Sequence, residues 1–220
     1  LAKMTDLPLD NTAFPWLTAQ TGEVALATDV YLLRVNFVGA LGWELHFPIE
    51  YAHHLFDALF AAGEEFEIGM VGMRAMESLR LEKSYRMWGS DMTPDYTPLE
   101  AGLDRFVRLG KGDFIGKEAL QAQLAGGVPN RFVTVEIHGV TDADALGNNP
   151  IFRNGKTVGR ATSGNYGFRT GMSLVLAMLA PDAAAPGTAL EIDILGTVLK
   201  ATVINESPWD PDNARIRADG

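Results

Sequence analysis

The sequence predicts an α+β region followed by a small, all-β barrel. Three observations carry that expectation. Strand-like alternation near the start gives way to helical periods between residues 51 and 84. After Pro129 six short apolar runs follow one another without a helical period. Turn residues punctuate those runs, above all Asn154-Gly155, where both residue types tolerate positive φ and close a hairpin. The boundary between the two textures falls at Gly126 to Asn130, so residues 1–127 are expected to form one region and 128–220 the barrel.

The first twenty residues mix Asp, Asn, Pro and aromatics and predict an irregular entry. Residues 23–28 and 31–37 alternate as strands, and Gly39 and Gly42 turn the chain into a third strand at 43–47. From Tyr51 to Ala62 a stripe of Leu55, Phe56, Leu59 and Phe60 predicts a helix closed by Gly63. A short strand is expected at 66–70. A helix follows from Val71 to Ser84, with Met73, Met76, Leu79 and Leu81 inward. Residues 106–109 suggest another strand. Asp113 is placed to cap a helix over 117–124, ended by Gly126-Gly127. The barrel strands are expected at 131–138, 150–153, 156–161, 173–179, 189–195 and 198–204. Their core should come from Val133, Val135, Ile137, Val158, Leu174, Leu176, Ile192, Ile194 and Val203.

Composition excludes several function classes. A net charge of −10 over 220 residues leaves no dense basic patch for phosphate contacts, so no nucleic-acid partner is expected. Cysteine is absent, which removes disulfides and thiolate metal sites. No apolar run approaches the about 18 residues of a membrane span, and no basic, apolar leader opens the chain; no membrane partner is expected. The chain opens on Leu1 rather than Met, as a piece of something longer would.

Few motifs carry chemistry by themselves. His46, His53, His54 and His138 lack metal-ligand spacing, and adjacent helical histidines point apart. The run from Asp142 to Gly147 begins like a calcium loop, but Arg153 stands where the closing Glu belongs. The glycines of 69–72 make neither GxGxxG nor a P-loop. Two stretches hold more. Arg34 to Leu45 puts Glu44 inside an apolar strand, facing away from Trp43 and Leu45; taken alone, it fits a solvated strand residue. Glu77 to Thr93 is dense in opposite charges and suggests an ion-pair network, with a tight turn at Trp88-Gly89.

Five collinear segments give these stretches a common meaning: Arg34 to Leu45, Gly72 to Lys83 (ending Ser-Leu-Arg-Leu-Glu-Lys), Tyr85 to Thr93, Thr97 to Leu103 and Asp113 to Leu120. Together they resemble the folate-binding region of the aminomethyltransferase (glycine-cleavage T-protein) family. Thr162 to Gly167, Ser173 to Ala177 and Asp210 to Arg217 continue the match. The Tyr-Arg-x-Trp-Gly-Ser-Asp and Asp-Pro-x-Asn-x-Arg forms are similar to the dimethylglycine and sarcosine dehydrogenase branch.

The resemblance implies a ferredoxin-like folate-binding region, here partial, followed by a small Greek-key β-barrel. It implies tetrahydrofolate as cofactor, and capture of a one-carbon unit from a small methylamine-derived donor. FAD is implied only where a flavin domain or subunit accompanies the region. The expected compartment is the cytoplasm, or the mitochondrial matrix in a eukaryote. The family's pterin-recognising Glu matches Glu44, whose carboxylate would accept a ring N–H and the neighbouring amino group as a fork. Phe37, Met76 and Tyr166 are the other folate-binding positions it implies. Three departures stand out: Phe37 replaces a Tyr, Ala40 replaces the Glu of a Thr-Gly-Glu turn, and Met76 replaces an Arg of the free-standing enzymes. The family's key Asp matches no position here, so no catalytic residue is expected in this chain. The alternative expectation is a non-catalytic folate-binding or regulatory module.

Overall fold

The computed structural model describes residues 1–139 and 142–218 and holds two compact units. One comprises Leu1–Met76 with the tail from Asp210; the other is Glu77–Trp209.

In the first unit a three-stranded antiparallel sheet runs in the order β1 (Ala19–Val24), β2 (Ala27–Leu33), β3 (Glu44–His46). The first two strands lie earlier than expected, because the hairpin turn is Ala25-Leu26. Both residues have positive φ, 48° and 68°, and Val24 pairs with Ala27 across them. That conformation is ordinarily signalled by Asn or Gly, so the sequence concealed it. Phe14, Val24, Ala27, Val30 and Leu32 form the core on one face of the sheet. Helix α1 (Ala52–Gly63) covers it with Leu55, Ala58, Leu59 and Ala62, a spacing that matches the helical repeat. Phe56 stays outside that stripe and stacks on Phe60.

Gly63 is the last residue of α1 and not a left-handed residue past its end, since its φ is −91°. The chain tightens into a 3-10 turn at Glu64–Phe66, and Glu67 takes the left-handed position with φ 54°. That turn takes up Phe66 and Glu67, and 68–70 are irregular, so the strand expected at 66–70 does not form. The tail returns to this unit: Ile216 is fully buried, Arg217 lies over the ring of Trp16, and the Arg34 guanidinium donates to the carbonyls of Phe14 and Ala218 at 2.7 and 2.8 Å.

The second unit is organised around a closed six-stranded barrel. Its strands are β4 (Arg131–Ile137), β5 (Pro150–Arg153), β6 (Lys156–Gly167), β7 (Met172–Leu179), β8 (Ala189–Ile194) and β9 (Thr197–Ile204). The order β4-β7-β6-β5-β8-β9 closes through the β4–β9 pair and puts β4 beside β7, a Greek-key arrangement that leaves no edge. Asn154-Gly155 is the hairpin turn, with φ of 52° and 72°. Val133, Val135, Ile137, Ile192, Ile194 and Val203 line the interior as expected. From β7, however, Val175, Ala177 and Leu179 point inward, while Leu176 and Met178 point out. Leu174 is fully buried but also lies outside the interior cluster. A strand apolar on both faces has no alternation from which to read its inner side.

Helix α2 (Met73–Leu81) provides part of the outer cover: Leu81 packs with Ala101, Phe132, Leu176 and Met178. Met73 is 71% exposed, contrary to its expected inward position, and the residues α2 buries are Ser78, Arg80 and Leu81. The strand expected at 106–109 is instead a 3-10 turn at Asp104–Phe106 followed by irregular chain. Helix α3 (Lys117–Gly126) has Gly116 at its N-cap with φ 91°, and no side chain caps it; Asp113 instead lies 3.8 Å from the Lys117 ammonium.

Glu100 secures the chain just before β4. Its buried carboxylate accepts from the Thr97 amide at 2.9 Å, the Asn130 side chain at 2.7 Å and the Thr97 hydroxyl at 3.1 Å. Burial pushes this carboxyl up, but the Thr97 amide, Asn130, the Thr97 hydroxyl and Gln123 together hold it below its ordinary value of 4.5. A depressed folded value means the stabilisation is complete above the unfolded value and disappears as pH falls through the folded one. Glu100→Gln is therefore expected to be less stable than wild type at neutral pH, with the gap narrowing below about pH 4.5. Urea unfolding across that range checks it; a gap constant with pH would refute it.

Candidate functional site

The residues singled out by sequence fall in both units: Phe37, Glu44 and Met76 in the first, Tyr166 in the second. Glu44 opens β3, opposite Leu33, and His46 lies opposite Tyr31. Because side chains alternate along strands, these four share the face turned away from the Leu32 and Leu45 packing. The Glu44 side chain is 52% exposed and accepts from His46 Nε2 at 3.2 Å. A carboxylate placed this way retains acceptor capacity beyond that single bond.

Phe37 is half-buried in the loop between β2 and β3. That loop is shaped by Asn36, whose Oδ1 accepts from the amides of Gly39 at 2.7 Å and Val38 at 3.2 Å. Gly39 holds φ 68°, and a Cβ on Gly42 would come within 2.9 Å of Asn36 Cβ. Both glycines are therefore demanded by the backbone. Asn36 Nδ2 is buried without a hydrogen-bond partner among the described residues. Met76 is half-buried on α2.

In the second unit the charged stretch from Glu77 to Thr93 forms the ion-pair network its composition suggested. Arg80 is fully buried and donates to Glu77, to Asp91, to Ser163 Oγ at 2.7 Å and to the Tyr85 carbonyl at 2.8 Å. Asp91, also fully buried, accepts from Thr162, from Ser163 Oγ at 2.8 Å and from the Met87 amide at 2.9 Å. Gly89 makes the tight turn at Trp88-Gly89 with φ 90° and leaves the Trp88 ring exposed. Tyr166, 41% exposed near the end of β6, meets Phe168 edge to face at 5.1 Å. Ser78 Oγ donates to the Tyr166 carbonyl at 2.6 Å and Arg169 Nε to the buried Glu82 carboxylate; the shares of Ser78, Thr162, Ser163 and Arg169 in these contacts were not legible from sequence. The residue types are common, and their partners are distant in the chain.

An antiparallel sheet with its helix and a closed barrel with a buried ion network against one wall together define the class. The family model described as the GCVT N-terminal domain matches residues 1–111, and that for the glycine cleavage T-protein C-terminal barrel domain matches residues 130–210. The chain belongs to the glycine cleavage T-protein family. Within it, the chain is 38% identical to the mitochondrial dimethylglycine dehydrogenase of Mus musculus over 223 residues, all of this chain and 25% of that protein. It is 33% identical to the mitochondrial sarcosine dehydrogenase of the same species, over 99% of this chain and 24% of that one. It is also 33% identical to an aminomethyltransferase of Desulfitobacterium hafniense, over 93% of this chain and 54% of the other. The crystal structure of aminomethyltransferase T from Bartonella henselae shares the fold, with a TM-score of 0.79 at 24% identity over 89% of this chain and 53% of that one. The chain thus spans about a quarter of the dehydrogenases and about half of the aminomethyltransferases. It is an aminomethyltransferase-like region related to dimethylglycine and sarcosine dehydrogenases. No helix among the described residues is long and apolar enough to cross a membrane.

Proposed function

We propose that this chain is the C-terminal portion of a tetrahydrofolate-dependent, aminomethyltransferase-type enzyme that transfers a one-carbon unit derived from an N-methyl amine. Residues 1–127 would belong to the folate-binding domain and 128–220 to its C-terminal barrel. The observation that carries this is similarity to dimethylglycine dehydrogenase along the whole chain, with the Glu of the pterin-binding pattern kept at Glu44. The residues present fit folate recognition. In the first unit Glu44 has a reachable carboxylate, and Asn36 Nδ2 lacks a partner among the described residues in the loop that carries Phe37.

Tetrahydrofolate, when bound, supplies the nitrogens that accept the one-carbon unit. Glu44 would orient the pterin by accepting two parallel N–H groups, and Phe37 would contribute apolar contact without a hydroxyl. The acid–base group of the reaction would come from outside these 220 residues. FAD would belong to a separate domain or subunit, in the cytoplasm or the mitochondrial matrix.

In the full-length protein, Glu44→Gln is expected to weaken tetrahydrofolate binding by about 1.5–3 kcal/mol, since one arm of the fork then opposes donor to donor. Amine oxidation by a linked flavin domain should be unchanged. Calorimetric titration of both proteins tests this; equal affinities would make Glu44 a solvated strand residue. Phe37 and Ala40, which replace the family's Tyr and Glu, favour a second reading, a folate-binding module without chemistry. Tight folate binding with no one-carbon transfer by the full-length protein would establish it.

A further inference from the structure

The outer wall of the barrel carries a groove that none of the chemistry above uses. It holds about 390 Å³ beside β5, β8 and β9, and its lining includes His138, Phe152, Arg153, Glu191, Lys200 and Thr202. All of these belong to the second unit. The volume is that of a small-molecule site.

Strand register arranges the charges in the groove. Phe152 on β5 lies opposite Glu191 on β8, and Glu191 lies opposite Lys200 on β9. Their neighbours Ile151, Ile192 and Ala201 belong to the barrel interior, so by alternation Phe152, Glu191 and Lys200 share the outer face. Arg153 follows Phe152 and donates from Nη1 to the Asp182 carbonyl at 2.8 Å, which steadies the guanidinium. Its Nε and Nη2, and the side chains of Glu191 and Lys200, make no hydrogen bond or ion pair among the described residues. At one end His138 Nε2 lies 2.8 Å from Thr202 Oγ1. Across the three strands the groove therefore reads positive at Arg153, negative at Glu191 and positive at Lys200. In a chain of net charge −10 this is a local excess of cations.

We propose that this groove binds a small acidic amino acid, one carboxylate on Arg153, the other on Lys200, and the ammonium on Glu191. The charges of such a ligand, negative, positive, negative, mirror the order of the groove. The free edge of the Arg153 guanidinium offers N–H groups in the plane a carboxylate accepts as a fork, while Lys200 supplies a movable point charge. Glu191 accepts from the ammonium, and the half-buried Phe152 ring gives the methylene chain an apolar wall. The proposal uses no residue of the folate reading and stands or falls without it.

Calorimetric titration of the full-length protein tests this with two probes: L-glutamate, and glutarate, which is the same skeleton without the amine. L-glutamate is expected to bind saturably in the millimolar range or below, and glutarate more weakly. Arg153→Gln should weaken both about tenfold, the scale of hydrogen bonds to a charged group. Glu191→Gln should weaken L-glutamate by about the same factor and leave glutarate no weaker, because only the ammonium meets that carboxylate. Both positions lie on the outer wall, so the variants should keep the wild-type melting temperature. Absence of saturable L-glutamate binding, equal affinity for the two probes, or equal losses of both on Glu191→Gln overturns the proposal.

Discussion

Asp91→Ala is expected to destabilise the second unit by about 3–5 kcal/mol, the range seen when one partner of a buried ion pair is removed. Asp91 and Arg80 are both fully buried, and Asp91 also accepts from two hydroxyls and the Met87 amide. Removing the carboxylate takes the acceptor from the Met87 amide, leaves the Thr162 hydroxyl with the Leu176 carbonyl, and leaves Arg80 with Glu77 as its remaining carboxylate. Asp91→Asn should cost less, because the amide oxygen still accepts while the charge is lost. Denaturant unfolding followed by barrel-strand hydrogen exchange measures both. A loss below about 1 kcal/mol for the alanine variant would place the pair in the energetic range of exposed ion pairs.

Ile216→Ala is expected to cost the first unit about 2–5 kcal/mol, the range for emptying a buried aliphatic site, because the tail from Asp210 belongs to that unit and Ile216 is fully buried. Removing residues 210–218 should cost more. It takes away Ile216, the Arg217 contact with Trp16 and the Ala218 carbonyl that receives the buried Arg34 guanidinium. Hydrogen exchange should then rise in β1, β2 and α1 while the barrel core, whose packing does not include the tail, keeps its protection. Uniform loss of protection in both units would contradict this, as would none in either.

How much could be read from the chain differs by region. The barrel strands were legible because short β-branched runs bounded by turn residues leave few alternatives, and Pro150–Arg153 begins and ends where expected. Strand β6 was under-read: it continues through Ala161 to Gly167, across a register shift between Ala161 and Ser163, in a polar and Gly-containing stretch with no strand pattern. The β1–β2 hairpin was displaced for the opposite reason, since Ala25 and Leu26 do not look like residues at positive φ. Glu44 stood out only through the motif resemblance, since taken alone it fits a solvated strand residue, while Glu82 was one charge among several in its segment.

The sequence by itself determined the family, the α+β-then-barrel order and the hairpin at Asn154-Gly155. These depend on local pattern and on motifs a few residues long, which survive reading in one dimension. Tertiary structure alone decided that α2 turns Ser78 and Arg80 inward and Met73 outward, and that β7 is buried on both faces. Periodicity ranks residues by apolarity, so it assigns a helix its greasy face. A buried arginine reverses that ranking when its partners converge, and here Ser163 and Arg169 come from 83 and 87 residues further along than the Arg80 and Glu82 they meet.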